Sequence, residues 1–220
     1  MNGRLYRYSS QKYNSMLLNE GATRIGTLYD FRRSEHKVGI ADPSEGKKTV
    51  FHHVDDWAIN DEVDGSPSKT MRAMSEVGMF DFGPGGGQRM TGITLARRIH
   101  SPDYFIHCSA YKLSDSVLKQ FEGADSCVEI TNPYEFYRHV TEALNKITPA
   151  RFQGIHVIKY TDREEEWNGQ NYGTPGLLIK EIEFKDQCEV RAIWSAEDGV
   201  IIEPVVVRDM NITKLVRRIF

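Results

Sequence analysis

Residues 5–28 read LYRYSSQKYNSMLLNEGATRIGTL, and the order of elements in this stretch sets the fold class. Residues 4–8 alternate and carry aromatic side chains at 6 and 8, which is the pattern of a short strand. Ser9 and Ser10 then offer helix N-caps. Tyr13, Met16 and Leu17 recur at helical spacing, and Gly21 supplies the residue type that tolerates a left-handed C-cap. A second strand is expected at 23–29. The chain therefore opens as strand, short helix, glycine, strand.

Working outward, strands are expected at 103–110, 126–131, 154–160, 177–184 and 188–194, and again at 200–207, where Pro204 marks an edge or bulge. Helices are expected at 114–121, at 134–146 behind Pro133 in the N1 position, and at 211–218. Strands outnumber helices and do not alternate with them regularly. The expected class is α+β, with a mostly antiparallel, strand-rich mixed sheet and short helices. Residues 42–92 read as an irregular, acidic, Gly/Pro-containing insertion in a single domain spanning 1–220, with a strand at 49–54 and a short helix at 68–78.

The chain has 220 residues and a formal net charge of −3. Near-balance of charge argues against a general polyanion binder, whose whole surface is basic. The balance averages unlike parts: nine Lys/Arg meet five Asp/Glu through residue 50, but two meet seven over 51–86. Cys108, Cys127 and Cys188 form no CxxC pair, so the common zinc and thioredoxin spacings are missing and no metal is expected. The opening residues, with Arg4, Arg7 and Lys12, do not read as a signal peptide, and no stretch reads as a membrane span. The expectation is a cytoplasmic protein with no membrane partner.

Several motifs dissolve on inspection. GPGGGQ at 83–88 is not followed by Lys-Ser/Thr, so it is not a P-loop, and it lacks the strand and helix of a dinucleotide fingerprint. His52 and His53 beside Asp55 and Asp56 suggest a metal, but adjacent strand residues point to opposite faces. The same geometry keeps His107 and Cys108 from acting as base and nucleophile together.

Three strand patches remain. Tyr6-Arg7-Tyr8 offers a guanidinium fork for a diphosphate or ribose between two stacking rings, or else an ordinary exposed edge. Alternation puts Phe105, His107 and Ser109 on one face, with Ile106 and Cys108 opposite. Gln187, Glu189 and Arg191 likewise share a face, with Cys188 and Val190 toward the core.

A strand Arg near the N-terminus, a strand Ser in the middle and a late Gln-x-Glu resemble the Arg–Ser–Glu arrangement of ADP-ribosyltransferases. Residues 5–28 also resemble that family's first strand, helix, glycine and second strand. The Cys-Ser strand and late Glu-x-Arg are similar to a bacterial and phage domain family of unknown function. The ADP-ribosyltransferase resemblance implies NAD as co-substrate and an unknown acceptor. In it Arg7, with Tyr6 and Tyr8, grips the diphosphate, and Ser109 and His107 lie on the cofactor strand. Glu189 stabilises the ribosyl cation and Gln187 selects the acceptor. Tyr29 and Phe31 are candidates to stack on nicotinamide. Arg191 alternatively forms a structural pair with Glu189. The chain departs from the pattern in carrying His107-Cys108-Ser109 where the family has Ser-Thr-Ser, and residues 42–92 have no counterpart. The alternative reading is a non-catalytic module of phage or defence origin that binds nucleic acid through Arg32, Arg33, Lys47 and Lys48, or a partner protein.

Overall fold

Strand β1 (Leu5–Ser9) runs into helix α1 (Gln11–Glu20) and then β2 (Ala22–Thr27), as the opening residues lead one to expect. In this computed structural model, which describes residues 3–33, 42–58, 66–78 and 89–220, Ser10 sits at the helix start in extended backbone. Its hydroxyl makes no capping bond; the Asp125 carboxylate instead accepts from the Gln11 N–H at 2.6 Å. At the other end Gly21 adopts φ +60°, and its N–H donates to the Leu17 carbonyl.

The remaining elements, in chain order, are strands β3 (Lys47–Ala58) and β4 (Arg89–His100), separated by helix α2 (Lys69–Ala73), and then β5 (Phe105–Ala110). Helix α3 (Asp115–Leu118), β6 (Ser126–Ile130), α4 (Pro133–Asn145) and β7 (Ala150–Val157) follow. Short strands β8 (Lys159–Tyr160), β9 (Glu164–Glu166) and β10 (Ile179–Lys180) precede β11 (Glu189–Ala196), β12 (Val205–Arg208) and β13 (Val216–Arg218). The protein is α+β, with an eight-stranded sheet whose strand pairs are all antiparallel. No helix among the described residues is long and apolar enough to cross a membrane.

The single domain expected from the sequence resolves into two compact units. The first comprises Met1–Glu45, Pro102–Thr161 and Leu178–Phe220, and the second Gly46–Ser101 and Asp162–Leu177. In the first unit the large sheet runs β12-β2-β5-β1-β6-β13, with β11 on the other edge of β5 and β7 beyond it. Helix α4 covers one face. Asn132 caps it through the Glu135 N–H, and Pro133 occupies the first turn, where its missing N–H costs nothing. Phe136, Tyr137, Val140 and Leu144 are fully buried against Phe105, Val190, Ala192 and Trp194. Each such side chain stabilises the fold by about 1.5–3 kcal/mol.

Strand β5 organises this unit. Its far edge pairs along its whole length with β11, from Phe105–Trp194 to Ala110–Glu189. Its near edge meets β2 only at Phe105 and Ile106, and β1 only at Ala110. Residues 107–109 thus have no ladder partner on that side among the described residues. The sheet splits there, because β2 turns away to pair with β12 and β1 to pair with β6.

The second unit contains the strand expected at 49–54, as part of β3, and corrects the expectation of an otherwise irregular 42–92. β3 and β4 are twelve-residue antiparallel strands in register from Lys47–His100 to Ala58–Arg89, and β9 adds to β3 in parallel. Val50, Val54, Trp57, Leu95 and Trp167 form their own buried cluster. Buried polar residues at core positions, Lys48 and His52, interrupt the apolar alternation that would have announced the strand's full length. The expected helix 68–78 is α2 followed by a π-turn at Met74–Gly78. The GPGGGQ run lies outside the described residues.

Smaller corrections have local causes. The strand expected at 177–184 is reduced to β10, between 3-10 turns at Gly176–Leu178 and Ile182–Gln187. The strand expected at 200–207 begins only at Val205, directly after Pro204, which has no N–H for the ladder. At 211–218 a 3-10 turn, Met210–Leu215, gives way to β13.

A cavity at the split of the sheet

The split opens into a cavity of 680 Å³ lined entirely by residues of the first unit. Strand register decides which side chains face it from which side. Ala110 pairs with Glu189 and Cys108 with Arg191, whereas Ser109 pairs with Val190 and His107 with Ala192. Paired residues point to the same face. Glu189, Arg191 and Cys108 therefore share one face, and Ser109 and His107 lie on the opposite one, beneath α4. Tyr6 pairs with Ala110, which places Tyr6 on the Glu189 face and its neighbour Arg7 on the Ser109 face.

On the α4 side Arg7 donates from Nη1 to the Asn14 Oδ1 at 2.8 Å. It has no carboxylate partner among the described residues. Burial lowers its pKa to about 10, the signature of a cation short of a counter-charge. Beside it His107 bridges Thr23 Oγ1 and Tyr137 Oη, each at 3.2 Å, and Tyr137 also meets Ser109 Oγ at 3.3 Å. Burial, with Arg7 nearby, lowers the His107 pKa to about 3, so its ring is neutral. Asn14 Nδ2 is buried with no hydrogen-bond partner among the described residues.

The opposite face carries a closed charge network. Arg191 Nη1 and Nη2 donate to the two Glu45 oxygens at 2.7 and 2.9 Å, and its Nε donates to Glu189 Oε1 at 2.6 Å. Lys180 Nζ donates to Glu189 Oε2 at 2.8 Å and to Gln187 Oε1 at 2.7 Å. Two cations balance two carboxylates. Burial alone would raise the Glu189 pKa, but Arg191 and Lys180 outweigh it and hold the group well below the usual carboxylate range. Burial likewise opposes the Arg191 charge and is overcome by Glu189 and Glu45. Cys108 lies on this face, opposite His107 and Ser109 as alternation on β5 predicts, and lines the cavity; burial drives its thiol pKa well up.

The cavity brings together Tyr6, Arg7, Tyr8, Phe31, His107, Ser109 and Glu189. Tyr8 is held as a wall: its hydroxyl donates to the Lys112 carbonyl and accepts from the Ser114 N–H, and its ring stacks on Phe121. Two of the residues anticipated from the sequence stand elsewhere. Gln187 ends a 3-10 turn outside the strand, since Cys188 at φ +51° breaks the run before β11 begins. It is 1% exposed with its carbonyl on Lys180, so it presents nothing to an acceptor. Tyr29 packs under the Arg32 guanidinium, 4.0 Å from its ring centroid, and is not among the cavity-lining residues.

Comparison with protein-family models, curated proteins and solved structures finds no match. The site therefore rests on its geometry.

Sequence reasoning missed Lys180, Glu45, Asn14 and Tyr137. Nothing local marks them: Glu45 and Arg191 are 146 residues apart, and Ser109 and Tyr137 are 28 apart. The basic set also separates. Lys48 is buried, with Nζ on Glu165 Oε2 at 2.9 Å and on the Tyr172 carbonyl, so it cannot reach a phosphate. Arg32 donates from Nε to the Glu45 carbonyl, and Arg33 stands near Asp30. Lys47 belongs with Lys48 to the second unit, so the four do not form one patch within either unit.

Proposed function

We propose that the cavity binds NAD and that the chain is an ADP-ribosyltransferase-like enzyme. The observation that carries this reading is Arg7, a guanidinium with no carboxylate partner among the described residues, in the same 680 Å³ cavity as Glu189. A cavity of that size falls within the range of about 300–1,000 Å³ that small ligands occupy. An uncompensated cation in such a place is favoured by an anionic ligand group, and a diphosphate suits the guanidinium fork.

The chemistry asked of the remaining residues is modest. When the C1′–N bond to nicotinamide breaks, its electron pair leaves with the pyridine ring, and the ribosyl carbon gains oxocarbenium character. An ionised carboxylate beside it lowers that barrier. Glu189 is held ionised by Arg191 and Lys180. Each of its oxygens accepts one of these cations, which leaves lone pairs for a ribose hydroxyl. An acceptor nucleophile then takes the ribosyl carbon. Gln187 is tied to Lys180 and plays no part in that step in this arrangement.

The second reading, a non-catalytic nucleotide-binding module, is favoured by the same network, because Arg191 and Lys180 already neutralise Glu189. Nicotinamide release from NAD separates the two. Under the enzymatic reading the wild type releases nicotinamide and Glu189→Asp, which keeps the charge but draws it back by one methylene, loses most of that activity while still binding NAD. Binding without release by the wild type supports the module. Neither binding nor release rejects both.

A further inference from the structure

Gly26 is the penultimate residue of β2, and glycine within a strand weakens it, having no side chain to pack. Its φ lies outside the left-handed range, so backbone conformation does not demand it. Space does. A Cβ built there would stand 2.8 Å from Phe31 Cζ and 3.0 Å from Phe31 Cε1, with Arg24 Nη1 at 3.3 Å. The ring edge of Phe31 thus rests against the bare backbone of the strand.

The close approach does not serve the core. Among the described residues Phe31 belongs to none of the buried apolar clusters; it is half-buried and lines the cavity. Its position is fixed from several sides. The Asp30 N–H donates to Thr27 Oγ1 at 3.0 Å, Arg24 Nη2 donates to Asp30 Oδ2 at 2.6 Å, and the Phe31 carbonyl accepts from the Asp42 N–H at 2.9 Å. Gly26 pairs with Ile106, and Ile106 shares its face of β5 with Cys108 and hence with Glu189 and Arg191. A strand thus gives up a side chain so that one aromatic ring can sit deep in the wall on the carboxylate side.

Resting on the NAD reading, we infer that Gly26 is a positioning residue that sets the depth of a slot for a planar heterocycle, with Phe31 as its wall. Because the slot is on the Glu189 face and Arg7 is on the other, the ring it takes is the nicotinamide, not the adenine. Gly26→Ala pushes the Phe31 ring into the slot and narrows it.

The test compares calorimetric binding of NAD, nicotinamide mononucleotide and ADP-ribose to wild type, Gly26→Ala, Phe31→Ala and the double variant. Gly26→Ala is expected to weaken NAD and the mononucleotide about tenfold, the scale of one aromatic stack, and to leave ADP-ribose unaffected. The double variant is expected to bind no more weakly than Phe31→Ala, since the glycine acts only through the ring. Equal NAD affinity for wild type and Gly26→Ala, losses that multiply in the double variant, or equal weakening of ADP-ribose overturns the assignment. Should Gly26→Ala melt far below wild type, the double variant decides: melting and NAD affinity equal to those of Phe31→Ala uphold an action through the ring, and melting as low as Gly26→Ala overturns it. A wild type that binds none of the three ligands rejects the NAD reading itself, and this outcome is distinct from a wild type that binds all three without regard to residue 26.

Discussion

His107 shows how much a single buried side chain can impose. Its ring is enclosed by Thr23, Phe136 and Tyr137, with the Arg7 charge nearby and no carboxylate among its hydrogen-bond partners. Its pKa falls from 6.5 to about 3. Between those values the unfolded chain binds a proton that the folded protein refuses, so stability is full above the unfolded pKa and declines as pH falls. The slope for one such group is about 1.4 kcal/mol per pH unit. His107→Gln retains a donor and an acceptor for Thr23 and Tyr137 but cannot titrate. Urea denaturation at about pH 6 and pH 5 is therefore expected to show wild type losing about 1.2 kcal/mol more than the variant. His52, also lowered by burial, is present in both proteins and cancels. Equal losses would show that His107 is not held neutral. At this scale much was legible: Arg7, Ser109 and Glu189 are strand residues of the expected types, and all three line the cavity. Their partners were not legible, because an ion pair such as Arg191–Glu45 leaves no periodic trace in either segment.

Among the elements, α1 was the most readable, because the left-handed backbone of its closing glycine is a local signal. Gly21 has left-handed backbone, and a Cβ there would lie 1.9 Å from the Asp209 carbonyl oxygen. Strain and collision act together. Gly21→Ala is expected to cost at least about 2 kcal/mol of folding free energy in urea titration; a loss below about 0.5 kcal/mol, the scale of an ordinary surface change, would contradict this geometry. Alternation within β5 and β11 was also legible, but the register between them was not. Each strand taken alone assigns two faces without saying which face of one meets which face of the other. Only the pairing of Ser109 with Val190 shows that Ser109 and Glu189 look in opposite directions. The full length of β3, of which only 49–54 was legible, and the whole of β4 stayed hidden for a different reason. Lys48 fills a core position because Glu165 and the Tyr172 carbonyl satisfy its ammonium, and neither partner can be anticipated from the run 47–58.

For the molecule as a whole, the small net charge conceals a local arrangement. Within the first unit the carboxylates and cations around Glu189 cancel, Arg24 is answered by Asp30, and Arg7 faces the cavity without a carboxylate partner among the described residues. The α+β class followed from the count and order of strands. The division into two units did not, since 162–177 joins 46–101 through long-range contacts, the parallel pairing of β9 with β3 and the burial of Trp167 beside Val50 and Val54 among them, that neither segment announces. The central claim is that Arg7 awaits an anionic group of NAD. Calorimetric titration of NAD into wild type and Arg7→Ala, at low and at moderate salt, tests it most directly. A charged hydrogen-bonded contact of this kind is worth about 1.5–3 kcal/mol, so binding by the wild type is expected to weaken at least about tenfold in the variant, with both proteins equally folded. NAD binding that is indifferent to Arg7, or no binding by the wild type at all, would contradict the claim.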